Sequence, residues 1–168
     1  MLGDFAVGKT SLVRRFVYNL FDDRYMSTVG VKVSRKPLAV VSGERVVDLT
    51  MILWDLAGSE EFSQMRGAYL RGAAGALLVY DLTRRDTLAS LHSYASQLRQ
   101  ISADAALVIV ANKSDLVANG DNGGGIDASA LDGLALANGL GAPLVVASAL
   151  TGYNVEDAFR QLGQRLVR

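Results

Sequence analysis

The chain is built around Gly3-Asp4-Phe5-Ala6-Val7-Gly8-Lys9-Thr10, which meets the phosphate-loop pattern G-x-x-x-x-G-K-[ST] at every fixed position. No other stretch restricts the fold so sharply, because the pattern demands a tight backbone turn that runs straight into a helix. Glycines in such a turn let successive N–H groups converge on phosphate oxygens, and the helix adds its positive N-terminal end. Lys9 is then the side chain to reach the β and γ phosphates, and Thr10 offers its hydroxyl to Mg²⁺, with Ser11 completing the cradle. A chain with this feature holds a nucleoside triphosphate.

Around that loop, strands and helices alternate. Only Met1 and Leu2 precede Gly3, whereas a phosphate loop is normally fed by a buried strand. That strand is expected to be largely missing, with natural residues lying upstream of Met1. Leu12, Val13 and Phe16 have helical spacing and predict a helix from Lys9 to about Asn19. Residues 21–30 have no period and read as an exposed, function-bearing loop. Runs 31–41 and 46–54 are β-rich and join through Ser42-Gly43-Glu44-Arg45, predicting an antiparallel hairpin. Asp55-Leu56-Ala57-Gly58 closes the second run, placing a carboxylate for Mg²⁺ at a strand end and a glycine three residues on, where a γ-phosphate is sensed.

Residues 59–72 read as a short irregular helix or loop, with Phe62, Met65, Tyr69 and Leu70 as its apolar contacts. The apolar runs 75–81 and 105–111 are continuous and predict buried parallel strands. Asp86 is expected to cap a helix reaching about Gln100, whose apolar face is Leu88, Leu91, Leu98 and Ile101. His92 falls on its polar side and is assigned no role. The second strand delivers Asn112-Lys113-Ser114-Asp115. A carboxylate there accepts from both N1–H and the 2-amino group of guanine, a donor pair that adenine lacks. Residues 119–125 are expected to form a surface loop, 127–138 and 154–167 helices, and 143–147 a last strand. That strand ends on Ser148-Ala149-Leu150, where a backbone N–H is expected to meet the guanine oxygen.

Composition closes off other classes. Half of the 168 residues are hydrophobic and the formal net charge is zero, so one domain over 1–168 with a sizeable core is expected and nucleic acid is not an expected partner. There is no cysteine, which removes a prenylation site, so no covalent membrane anchor is expected. No apolar run approaches the roughly 18 residues of a spanning helix, and a cytoplasmic location is expected.

A phosphate loop, a mid-loop threonine, D-x-x-G, N-K-x-D and S-A-x, in this order along alternating strands and helices, resemble the Ras superfamily of small GTPases over nearly the whole chain. Trp54 before Asp55 and the stretch from Tyr69 to Gly75 are more similar to its Rab branch. The resemblance implies an α/β fold in three layers, a mostly parallel six-stranded sheet with helices on both faces. It implies a switch that cycles between GTP and GDP with Mg²⁺ bound through Thr10, Thr28 and Asp55. Phe21 would pack on the guanine, Tyr25 would lie over the phosphates, and Thr28 and Gly58 would be the two γ-phosphate catches. Lys9, Thr28, Gly58 and Ser59 would form the catalytic set. Exchange factors, activating proteins and effectors would meet the switches, residues 21–31 and 58–72, and the interswitch surface of Val33, Trp54 and Tyr69.

The chain departs from the family where turnover is concerned. Ser59 stands where a Gln usually orients the attacking water, and Phe5 where a small residue lies beside the γ-phosphate. Leu150 replaces a common Lys. Slow hydrolysis is expected, with a GTP-locked binding module as the alternative; Glu60 or Glu61 holding the water is the competing reading. A phosphate-loop kinase is disfavoured by N-K-x-D.

Overall fold

The central strands are apolar without interruption because both of their faces are covered. In a computed structural model, which describes residues 1–22, 24, 28–58, 63–117 and 128–168, β3 (Gly75–Asp81), β4 (Ala106–Asn112) and β5 (Leu144–Val146) pair in parallel in the order β3-β4-β5. Successive side chains point to opposite faces. Leu78, Tyr80 and Ile109 therefore enter one core, with Leu88, Leu91 and Leu98. Leu77, Val79, Val108 and Val110 enter the other, with Leu12, Phe16, Phe159 and Leu162.

The second core lies under α1 (Lys9–Tyr18) and α7 (Val155–Leu166), whose Phe16 and Phe159 rings stack with centroids 4.0 Å apart and planes within 7°. The first lies under α2 (Ser63–Leu70), α3 (Arg85–Ala89), α4 (Leu91–Ile101) and α6 (Ala128–Leu140). The hairpin of β1 (Val31–Ser42) and β2 (Arg45–Leu56) is antiparallel in unbroken register from Val31↔Leu56 to Ser42↔Arg45. Its inner face, Leu38, Val40, Met51 and Leu53, joins the core beneath α7. Pro37 is tolerated in β1 because this strand pairs with β2 alone and is an edge, where a missing N–H costs no ladder bond.

The α/β fold expected from the sequence is present: among the described residues five strands form two sheets, and the strand ahead of the phosphate loop, expected to be largely missing, is one bridging residue. Leu2 receives the Val79 N–H at 2.8 Å and donates to the Leu77 carbonyl at 2.9 Å, running parallel to β3. The Met1 nitrogen donates to the Trp54 carbonyl of β2 at 2.8 Å. Beside this link β2 and β3 flank a cavity of about 520 Å³, lined by Leu49, Met51 and Leu53 on one side and Gly75, Ala76 and Leu77 on the other.

The helix expected over residues 86–100 is corrected. It breaks at Ser90 into α3 and α4, and Asp86 lies inside the first turn of α3, where Arg84 holds the capping position without a side-chain cap bond. Ile101, assigned to the apolar face, is 41% exposed. Asp115 sits on a one-turn helix, α5 (Ser114–Val117), that follows β4. The loop expected at 119–125 lies outside the described residues, whereas the remaining strands and helices agree with the sequence reading to within about two residues.

The cavity between β2 and β3 generates a stability prediction. Extending the chain ahead of Met1 by five Val and Ile residues should raise the melting midpoint, whereas five alternating Glu and Lys residues should not. With roughly 2–4 °C per kcal/mol for a chain of this size, a gain below about 4 °C for the apolar extension would count against the cavity as a strand slot.

Candidate functional site

The phosphate loop is shaped by two close approaches. Gly8 has φ +100°, and a Cβ there would stand 2.2 Å from the Asn112 amide nitrogen, so only glycine fits beneath that side chain. Gly58 packs against the loop from the other side, where a Cβ would lie 2.6 Å from Lys9 Nζ and 2.7 Å from the Asp4 carbonyl oxygen. Lys9 is buried and donates from Nζ to the carbonyls of Gly3 at 2.8 Å and Asp4 at 2.7 Å. The Lys9 ammonium is thereby held in the turn by two backbone carbonyls, at the wall of the cavity.

Beyond Lys9, Thr10 Oγ1 lies 2.6 Å from Thr28 Oγ1 and hydrogen-bonds Asp55 Oδ2. Asp55 is 1% exposed, and its Oδ1 has no hydrogen-bond partner. Burial pushes its carboxyl above the ordinary 3.8, opposed by the Thr10 hydrogen bond and the nearby Lys9 charge. An orphaned, buried carboxylate oxygen beside two hydroxyls is the donor set of a hard cation. Thr10, Thr28 and Asp55 therefore fit Mg²⁺, leaving positions for phosphate and water.

On the opposite side, Asn112 is 1% exposed and spends its amide on the protein itself: Nδ2 donates to the Val7 carbonyl at 2.9 Å and Oδ1 accepts the Ala149 N–H at 3.1 Å. That N–H, expected at the guanine oxygen, already has an acceptor which a base would have to share. Asp115 Oδ1 accepts from Ser148 Oγ at 2.5 Å. Arg15 fixes the same loop, donating to the carbonyls of Ala149 at 3.0 Å and Leu150 at 2.5 Å.

One cavity of about 460 Å³ collects Phe5, Ala6, Gly8, Lys9, Thr10 and Ser11 with Phe21, Thr28, Gly58, Asn112, Lys113, Asp115, Ala149 and Leu150. Gly3, Val7, Asp55 and Ser148 stand buried behind its wall. Tyr25 and Ser59 lie outside the described residues, as do Glu60, Glu61 and Phe62.

Sequence reasoning missed several members of the surroundings. Asp81 ends β3 level with Asn112 on β4, and its Oδ2 binds Lys113 Nζ at 2.7 Å. Burial alone would raise the Asp81 carboxyl, but hydrogen bonds from Lys113 and Thr83 outweigh it and hold the group below the ordinary value. A carboxylate at the C-terminal end of a parallel strand is the signal that was available, since ligands gather there. Leu116, which also lines the cavity, and Arg15, whose partners in the base loop are more than 130 positions away, carried no such signal.

Comparisons with known proteins agree with this geometry. The Ras family model matches residues 1–168. The chain is similar to a Ras-related protein Rab-2B of Dictyostelium discoideum, with 34% identity over all of this chain and 79% of the relative. It is 36% identical to the Ras-related protein RABA6b of Arabidopsis thaliana, over 99% of this chain and 69% of the relative. It is 34% identical to Rab-4A of Danio rerio, over 99% and 74%. Among the described residues no helix is long and apolar enough to cross a membrane.

The state of Asp55 yields a test. A carboxyl raised by burial favours the fold below its ordinary 3.8, and that contribution is lost as pH rises through the folded value. At neutral pH the metal-free protein therefore carries a cost that an amide would not. Asp55→Asn should raise the metal-free melting midpoint at pH 7 and abolish the further rise that Mg²⁺ and nucleotide give the wild type; a lower metal-free midpoint would contradict this.

Proposed function

The chain belongs to the Ras family of GTP-binding regulatory GTPases, and from that premise we propose that it is a slowly hydrolysing guanine-nucleotide switch. The observation that carries the reading is the single cavity in which the phosphate loop, Thr28, Gly58 and the N-K-x-D residues meet. Asp115, with its carboxylate set by Ser148, is the guanine reader. Asn112 acts at one remove, joining the base side to the phosphate side through the Val7 carbonyl and the Ala149 N–H. Phe21 lines the base end as an apolar wall.

In hydrolysis the work of this chain is positioning and electrostatics. Lys9 is poised to hold the outer phosphates, and Thr28 and Gly58 are the groups in place to feel the γ-phosphate. Mg²⁺, when bound, supplies positive charge against the phosphate oxygens. Phe5 is 47% exposed at the cavity rim, so the ground state accommodates its ring, whereas an incoming arginine finger has to compete with it. A short Ser59 gives less control of the attacking water than a Gln would. The same Phe5 favours the second reading, a GTP-locked module.

The output surface we assign to the outer face of the hairpin. Val33, Ile52 and Trp54 are all exposed there, and the Trp54 and Tyr69 rings lie 6.0 Å apart. Effector and exchange proteins are the proposed partners, and the cytoplasm the proposed place of action.

Two measurements test this. In competition against labelled GDP, GTP should compete and ATP should be weaker by about 10⁴-fold or more, the discrimination available when a buried carboxylate loses its donors; equal displacement would end the guanine reading. Single-turnover hydrolysis should run below the roughly 10⁻⁴ to 10⁻³ s⁻¹ of intrinsic Ras turnover and should rise in Phe5→Gly combined with Ser59→Gln. A wild-type rate at that level, or no gain in the double variant, would refute slow cycling, while no turnover in either protein would favour the locked module.

A further inference from the structure

The phosphate loop is held from outside the cavity as well as from within. Arg84, between β3 and α3, donates from Nη2 to the Phe5 carbonyl at 2.8 Å and from Nε to Asp81 Oδ2 at 3.1 Å. Asp81 is saturated: its Oδ1 accepts from the Thr83 N–H at 2.9 Å and the Thr83 hydroxyl at 2.6 Å, and its Oδ2 is shared between Arg84 and Lys113. The guanidinium is thus fixed at one end by a buried carboxylate and reaches the loop with the other. A planar fork serves two acceptors in this way, as a lysine cannot.

The Phe5 carbonyl belongs to the same peptide unit as the Ala6 N–H, and in a trans peptide the two point in opposite directions. Turning the carbonyl outward onto Arg84 turns the N–H inward, towards the cavity that Phe5 and Ala6 line. Ala6 needs such an outside tie. Its φ of 61° is in the left-handed region, unfavourable for a residue with a side chain, so without restraint the unit relaxes by rotating and the N–H swings away. The neighbouring residue is braced alike, with Tyr94 Oη donating to Asp4 Oδ1 at 2.8 Å.

We propose that Arg84 is a positioning residue for the diphosphate part of the nucleotide: it holds the Phe5 carbonyl outward and so aims the Ala6 N–H at a phosphate oxygen. Through Asp81 it shares its anchor with Lys113, which ties the outer wall of the phosphate loop to the base side. This inference rests on the proposed nucleotide function and adds a residue that touches no ligand itself.

GDP and GMP are the discriminating probes, because they share base, ribose and first phosphate. Their affinities, measured by calorimetry in Mg²⁺ buffer, are compared in the wild type, Arg84→Ala, Arg84→Lys and the control Arg85→Ala, whose guanidinium pairs with Asp132 on the surface. Arg84→Ala should weaken GDP about tenfold, the scale of one hydrogen bond from a charged group, and leave GMP nearly unchanged. Arg84→Lys should show a loss in the same direction, and the control none. In the GDP complex the Ala6 amide resonance should shift in both Arg84 variants.

Equal losses for GDP and GMP would mean a merely structural role and overturn the proposal, as would unchanged GDP affinity. If Arg84→Ala does not fold, the GDP-to-GMP ratio of Arg84→Lys decides on the same terms. A wild type that binds neither nucleotide would overturn this proposal and the switch reading together, whereas variants that match a GDP-binding wild type overturn only the role of Arg84.

Discussion

The site depends on one buried amide. Asn112, at the end of β4, faces a phosphate loop that follows Leu2 and a base loop that follows β5, and it bonds to both through opposite ends of its side chain. An amide can do this because it is donor and acceptor at once, with no charge to desolvate. An aspartate would repel the Val7 carbonyl, and a leucine would leave a buried carbonyl and a buried N–H unpaired. The requirement reaches into the loop, since Gly8 is the residue that leaves room for this amide. The nucleotide cavity is held together by a side chain mostly committed to protein partners.

The two carboxylates beside it show how environment separates roles. Asp55 and Asp81 are both 1% exposed. Asp81 is surrounded by Lys113, Arg84 and Thr83 and is held ionised below the ordinary value, so it acts as a fixed anchor. Asp55 has one protein hydroxyl at Oδ2 and nothing at Oδ1, and its carboxyl is raised. A group left with unspent capacity in the interior is where a ligand is to be looked for.

Legibility in the sequence followed the range of the interactions. The buried strands were readable because being covered on both faces leaves an unbroken apolar run, as in Gly75–Asp81, and each motif was readable because its defining residue types stand within a few positions of one another, wherever their partners lie. What depended on partners distant in the chain was not. Asp86 looked like a helix cap, but the helix starts where Arg84 is drawn to Asp81 and to a carbonyl 79 positions away. Nothing local marked the break at Ser90 or the grip of Arg15 on Ala149 and Leu150. Leu2 was correctly seen as too little strand, yet that two residues still connect both sheets is a matter of geometry that spacing does not encode.

The junction of the hairpin with the central sheet bears on what a bound nucleotide would be to this protein. The seam between the hairpin and the central sheet is closed by the core packed under α1 and α7 and by the backbone bonds of Met1 and Leu2. A ligand reaching from Thr28 and Gly58, flanking the hairpin, to Asn112 and Asp115, at and just after the end of β4, would span the same seam. Its binding free energy would then add directly to resistance against unfolding, growing with the logarithm of occupancy. An empty site would be the condition in which the seam lacks that contribution.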